Sequence, residues 1–247
     1  MSEHGFIYPD WPAPANVKAL ATSRLGGVSE GVFASLNLGT HVGDAITAVM
    51  QNRLLLKQQA DLPDEPGWLN QVHGTEVLVL ENWQGGVADA DASFTQTAGK
   101  VCVVMTADCL PVLFCDQQGQ QVAAAHAGWR GLCNGVLEQT LQHFANPAEV
   151  MVWLGPAIGP TAFEVGAEVR QAFIQQDAAA NRAFVPAGHG KYLADIYLLA
   201  RQRLTAAGVT QIYGGSYCTV SQPQQFFSYR RDGQTGRMAS LIWFSQG

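Results

Sequence analysis

Three side chains in this sequence have both the type and the setting for chemistry: His73, Cys109 and His126. Two imidazoles and a thiolate suit zinc, and three protein ligands leave a fourth position for water or substrate, which is how catalytic zinc is held. The same residues suit a cysteine hydrolase, with Cys109 as nucleophile and either histidine as its base, since a thiol needs a nearby base or cation to ionise at neutral pH. A third reading keeps Cys109 and His126 as core residues of a binding or structural domain. The spacing is long-range and follows no finger pattern, so the residues alone leave all three open.

The elements that must position these groups lie mainly between Lys100 and Gly131. The runs 101–105, 110–115 and 121–125 are short, apolar and bounded by Asp, Gly and Pro, and read as strands. Cys109 precedes the second and His126 ends the third, the strand-end positions where reactive groups are usually held. Gly128-Trp129-Arg130-Gly131 then opens a helix expected over 132–144. Such a junction leaves free backbone N–H groups that can hold an anion, and Arg130 would add a planar, bidentate cation. Upstream, 19–24 reads as a strand. A helix is expected over 44–60, capped by Asp44, with Ile46, Val49, Met50, Leu54 and Leu56 at helical spacing. Arg53 within it is either a solvated side chain or a functional one. His73 sits before Gly74, ahead of a strand at 76–80. Downstream come a strand at 150–154, helices at 167–176 and 193–207 separated by a polar connection at 177–190, and a closing strand at 238–244. One α/β domain over 1–247 accounts for this order.

Composition narrows the function classes. Of 247 residues 47% are hydrophobic and 14% charged, enough to bury a sizeable core and too apolar for disorder. A net charge of -6 with no basic run disfavours nucleic acid and anionic membranes as partners. No apolar run approaches the length of about 18 residues needed to span a bilayer. No basic end followed by an apolar stretch marks a signal peptide. Five cysteines without framework spacing imply reduced thiols and a cytoplasmic protein. Cys102, Cys115 and Cys133 lie in or beside apolar runs and read as core. A multicopper oxidase needs many imidazoles. The chain has six histidines and no His-x-His pair, with His4 near the N-terminus and His143 at the end of a helix.

Longer motifs occur in a fixed order. They are Thr22-Ser23-Arg24 with Gly26-Gly27-Val28-Ser29, then Ser35-Leu36-Asn37-Leu38-Gly39 and His41-Val42-Gly43-Asp44. Asn70-Gln71-Val72-His73-Gly74, Thr106-Ala107-Asp108-Cys109-Leu110-Pro111 and His126-Ala127-Gly128-Trp129-Arg130-Gly131 follow. Gly155-Pro156-Ala157-Ile158-Gly159-Pro160, Phe163-Glu164-Val165-Gly166 and Phe227-Ser228-Tyr229-Arg230-Arg231 complete the set. From about residue 20 to the C-terminus this pattern resembles the YfiH family, also called the laccase-domain or polyphenol oxidase family.

The resemblance implies a four-layer α/β/β/α fold similar to the catalytic domain of the cytotoxic necrotizing factor deamidases. It implies a metal site on His73, Cys109 and His126, zinc foremost with copper as the alternative. The activity implied is phosphorolysis of adenosine, inosine, guanosine or methylthioadenosine, together with adenosine deamination, so the expected partners are a purine nucleoside and phosphate. A second implied activity is peptidoglycan precursor editing, the hydrolysis of a wrong first amino acid from UDP-MurNAc. Laccase chemistry and a non-catalytic binding role rank below these. In deamination a zinc-activated water would attack purine C6. In phosphorolysis phosphate must instead meet the ribose C1′. Arg130 is the expected phosphate holder, with Arg24, Arg53 and Arg230 as further candidates, and Asn37, Gln71 or Asp108 would meet the ribose or base.

Overall fold

The computed structural model describes residues 5–246, so His4 lies outside the described residues. In chain order its strands are β1 (Val17–Ala21), β2 (Leu69–Asn70), β3 (Val77–Val79), β4 (Ala88–Asp89), β5 (Ala92–Thr95), β6 (Cys102–Thr106) and β7 (Leu110–Asp116). They continue with β8 (Val122–Ala127), β9 (Val150–Leu154), β10 (Glu164–Gly166), β11 (Phe184–Gly188), β12 (Lys191–Ala194), β13 (Gln211–Gly214) and β14 (Met238–Phe244). The helices are α1 (Ile46–Gln59), α2 (Trp129–Asn134), α3 (Val136–Leu141), α4 (Ala167–Gln176), α5 (Ile196–Ala206) and α6 (Tyr229–Asp232). This is a mixed α/β fold with several sheets. The largest runs β13-β9-β7-β8-β5-β3, a second runs β1-β14-β6, and β10-β12-β11 and β2-β4 are smaller.

β6, β7, β8 and β14 are buried along their whole length. A strand covered on both faces reads as a near-continuous apolar run, which is why these four were legible. Alternate residues of β7 serve different cores, as the two-residue period of a strand requires. Leu110, Val112 and Phe114 meet Leu137 of α3 and Leu199 and Leu204 of α5. Leu113 and Cys115 meet Cys102, Val104 and Ile242 of the second sheet. That sheet's outer face, through Val103, Met105 and Leu241, packs on Leu36, Leu38 and Leu56. Ala123, Ala124 and Ala125 of β8 keep the central strand thin, so layers close on both sides of it.

This stacking fixes where the site can be. The link from β6 to β7 is only Ala107-Asp108-Cys109, and it carries the chain from one sheet to the other. Register puts Thr106 opposite Met238 and Leu110 opposite Ala127, so the end of β6, the start of β7, the end of β8 and the start of β14 meet at one edge of the two sheets. No helix among the described residues is long and apolar enough to cross a membrane. All five cysteines are free, and Cys102, Cys115 and Cys133 are buried core residues as expected.

Several boundaries differ from the sequence reading. The first helix starts at Ile46 with Ala45 at its N-cap, because the Asp44 carboxylate is taken by Ser29 Oγ and Asn37 Nδ2 as well as the Ala45 amide. Val49 and Leu56 are buried, whereas Ile46, Met50 and Leu54 are 56%, 53% and 54% exposed. The buried face is completed by Asn52, a polar residue that apolar spacing does not count. The helix expected over 132–144 begins earlier, at Trp129, and breaks at Gly135, whose φ of 102° is left-handed. The stretch 177–190 contains a 3-10 turn and β11, and residues 193 and 194 belong to β12, so α5 starts at Ile196 under an Asp195 cap.

Gly135 joins α2 to α3 in a conformation that disfavours any side chain by about 1–2 kcal/mol. Gly135→Ala is therefore expected to lower the unfolding free energy by that amount, read as a lower urea midpoint at unchanged slope, since space around a Cβ there is open to about 3.5 Å. An unchanged midpoint would mean that the break is not required by the fold.

Candidate active site

Asp91, at the start of β5, organises the site. Its carboxylate is fully buried and accepts four hydrogen bonds. The backbone amides of Val72 (3.1 Å), His73 (2.9 Å) and Gly74 (2.6 Å) donate to it, and so does Nδ1–H of His126 (2.7 Å). Three successive amides converging on one carboxylate force the tight loop in which His73 sits at a left-handed φ of 62°. Burial alone would push the Asp91 carboxyl up, but the His126 imidazole and the amides outweigh it and hold it below the ordinary carboxylate range. With Nδ1 occupied, His126 has Nε2 left for the cleft, the usual way a carboxylate orients a metal-binding histidine.

Cys109 enters from the β6–β7 link. Its Sγ lies 3.9 Å from Nε2 of His73, and the two imidazole rings are 4.8 Å apart, edge to face. All three potential ligand atoms fall within 4.8 Å of one another. On a tetrahedral zinc, nitrogen and sulfur ligands are roughly 3.3–3.8 Å apart, so a small contraction closes the set around an ion. Two imidazoles and one thiolate thus fit a metal, and among the described residues no other such group does. Burial would raise the Cys109 thiol, yet His126 and His73 bring it down to about 6. Burial would lower His126, yet the Cys109 sulfur and Asp91 raise it to about 9. Gly128 completes the cradle, since a Cβ there would stand 2.7 Å from His73 Cδ2 and 3.2 Å from Cys109 Sγ.

The three residues open into a cleft of about 380 Å³ lined also by His41, Asn70, Gln71, Thr106, Tyr229 and Arg237. A second chamber of about 200 Å³ adjoins it, sharing Ala107, Cys109 and Tyr229 and walled by Trp129, Ile158, Phe163, Ile196 and Arg230. A larger cavity of about 660 Å³, between the end of β14 and the end of α1, contains none of these groups.

The other residues singled out from sequence separate into two sets. Gln71 lines the cleft, held by a two-way hydrogen bond with the Met105 backbone. Asp108 and Arg230 line the second chamber. The Asp108 carboxylate there accepts from Thr219 Oγ1 and the Arg230 amide, both at 2.6 Å. Asn37 is fully buried and bonded to Gly39, Asp44 and the Arg237 amide. Arg24 donates to the carbonyls of Ala34 and Pro223 over the Phe227 ring. Arg53 is not solvated: it donates to the Leu38 carbonyl, stacks 3.8 Å from Trp68, and is lowered to about 10 by burial. Arg130 is exposed over the Trp129 ring and lines neither chamber. Asp91, Tyr229 and Arg237 were not singled out. His41 and Tyr229 stood inside motifs that carry the resemblance, but nothing local marks Asp91 or Arg237.

The sequence pattern of a family described as multi-copper polyphenol oxidoreductase laccase matches residues 18–245. The purine nucleoside phosphorylase YfiH of Escherichia coli is 58% identical over 238 residues, covering 96% of this chain and 98% of that protein. The chain belongs to the YfiH, or laccase-domain, family. A purine nucleoside phosphorylase of Pseudomonas aeruginosa is 54% identical over 97% of this chain and 98% of its own length. A crystal structure from Neisseria meningitidis superposes with a TM-score of 0.95 at 56% identity, covering 98% of this chain and all of that one. YlmD of Geobacillus stearothermophilus gives 0.88 at 32% identity, covering 100% of this chain and 98% of that one. The laccase in the family description needs more imidazoles than this one cluster offers.

Two outcomes follow from this geometry. Asp91→Asn keeps the shape but removes the charge that orients His126, so metal affinity should fall about 10- to 100-fold. Competition with a chromophoric chelator reads this, and unchanged affinity would remove Asp91 from the metal site. In chelator-treated protein, iodoacetamide should modify Cys109 with a midpoint near pH 6, because the lowered thiol is already thiolate above that value. A profile rising only above pH 8 would mean that the imidazoles do not hold the thiolate.

Proposed function

We propose that this member of the YfiH family is a metal-dependent purine nucleoside phosphorylase with adenosine deaminase activity. Its substrates on this reading are adenosine, inosine, guanosine or methylthioadenosine, and it works as a single cytoplasmic domain. The observation that carries the reading is the joined pair of chambers, one polar and holding His73, Cys109, His126 and a guanidinium, the other apolar and aromatic. A nucleoside needs both, and relatives named for this activity share more than half of the sequence. The helix–sheet–sheet–helix order of the cores supports the four-layer reading, similar to the cytotoxic necrotizing factor catalytic domain.

His73, Cys109 and His126 would hold zinc, with copper the alternative. Zinc supplies Lewis acidity and lowers the pKa of water towards 7. The chain's own residues do the positioning. Asp91 holds the proton on Nδ1 of His126 and so keeps Nε2 free. Trp129 and Phe163 offer flat apolar surface for a base. Tyr229 and Ala107, shared by both chambers, place the sugar between them. In phosphorolysis a phosphate oxygen bonds to C1′ as the C1′–N9 bond breaks. The electron pair leaves on the purine, which takes up a proton. In deamination water adds at C6 and ammonia leaves.

One observation favours a second reading. Cys109, His126 and Asp91 form a thiol–imidazole–carboxylate chain like that of cysteine hydrolases, which suits an amidase editing a UDP-MurNAc-linked amino acid. That reaction consumes water and ignores phosphate. Ribose-1-phosphate release from adenosine or inosine, with and without phosphate, separates the two. Phosphate-dependent product is expected, falling about 100-fold or more in Cys109→Ala. No product from folded, metal-loaded wild type would transfer the assignment to the amidase.

A further inference from the structure

Of the arginines that could hold an anion, only Arg237 faces the cleft that contains His73, Cys109 and His126. Arg24 and Arg53 turn their guanidinium groups onto backbone carbonyls, Arg230 gives Nη1 to the Glu164 carbonyl from the apolar chamber, and Arg130 stacks on Trp129. No lysine lines either chamber. Arg237 stands at the turn before β14, half-buried, with its own amide held by Asn37 Oδ1. Its Nη1 donates to the carbonyls of Thr235 and Gly236, which fixes the plane of the group. Nε and Nη2 have no protein acceptor among the described residues, and Arg237 makes no ion pair there. The negative groups that act on it are the Cys109 sulfur and then the Asp108 carboxylate, which is engaged with Thr219 and the Arg230 amide.

His41 lines the same cleft and is held below its ordinary value by burial and by the charges of Arg237 and Arg53. The Arg237 and Arg53 guanidinium groups therefore make this corner positive, and no carboxylate is in ion-pair contact with Arg237 among the described residues. A half-buried guanidinium with Nε and Nη2 both free is a fork shaped for two oxygens of one anion.

We infer that Arg237, with His41 beside it, is the phosphate-binding end of the cleft, which leaves the apolar chamber on the far side of Cys109 for the purine. This rests on the phosphorylase reading and adds to it the direction in which substrates lie. Phosphate at Arg237 and base against Trp129 and Phe163 put the ribose C1′ near the shared wall of Ala107, Cys109 and Tyr229. The Asn37 amide oxygen, and with it the motif 35–39, then acts as a positioning group for the anion site.

The test compares Arg237→Gln, Arg237→Lys and Arg130→Gln in metal-loaded protein. Arg237→Gln is expected to raise the phosphate KM about 10- to 100-fold, as loss of charge-assisted hydrogen bonds does. Nucleoside affinity and bound metal should stay within twofold of wild type. Arg237→Lys retains the charge but not the fork, and should recover only part of the loss. Because Nη1 also ties the turn, thermal melting of each variant establishes that it is folded, and the lysine variant serves if the glutamine variant is not. A wild-type phosphate KM in both Arg237 variants, or a rise confined to Arg130→Gln, would overturn the assignment while leaving phosphorolysis intact. Titration calorimetry with inorganic phosphate alone gives a reading without turnover. If wild type makes no ribose-1-phosphate yet binds phosphate through Arg237, the phosphorylase reading fails and the anion site stands. If it does neither, both fail.

Discussion

A single buried carboxylate is the constraint on which the site depends. Charge taken out of water is tolerated only when its oxygens are fully hydrogen-bonded, and Asp91 is satisfied by donors from two distant segments. The loop carrying His73 cannot relax its left-handed backbone without exposing that carboxylate to unpaired burial. His126 cannot turn without losing its Nδ1 partner. The backbone of His73, and the tautomer and orientation of His126, thus follow from one group that lines neither chamber. Cys109 is placed by a different device, the short crossing between sheets, whose length leaves it little freedom.

The same economy appears around the rest of the cleft. Gln71 is locked to both the N–H and the C=O of Met105, and Asp108 is locked to Thr219 and the start of α6. Asn37, Arg24 and Arg53 bond to backbone rather than to open space. Many of the polar residues that make the motifs recognisable therefore hold walls, and the groups left facing inward are few. Preorganisation of this kind lets a site bind charge without rearranging when the ligand arrives.

How much was legible follows from range. Strands buried on both faces announce themselves through local apolar runs, and β7, β8, β9 and β14 were all readable within a residue or two. His73, Cys109 and His126 were legible because thiols and imidazoles are rare and chemically particular. Asp91 was not, since one aspartate among alanines looks like another and its partners lie up to 35 residues away. Arg237 was hidden in the same way, in a turn whose supporting contact comes from Asn37, 200 residues earlier. The helical stretch at α1 misled because its buried face is made partly by Asn52, which bonds Ser29 and the carbonyls of Ser35 and Asn37. Apolar counting cannot see a face that is buried through amide hydrogen bonds.

Gly39 presses on the stem of Arg237, where a Cβ would come within 2.7 Å of Cγ, while Asn37 grips the arginine's amide from the same strip. The opening and closing segments of the chain are thereby moulded to each other across the outer face of the second sheet. The cleft is consequently not a cassette that could be transplanted on the stretch from His73 to His126. A shortened chain starting after residue 44 would inherit His73, Cys109 and His126 and forfeit the mould for its cationic corner. What looks in linear order like a central stretch with two accessory flanks is, in three dimensions, a ring closed through its ends.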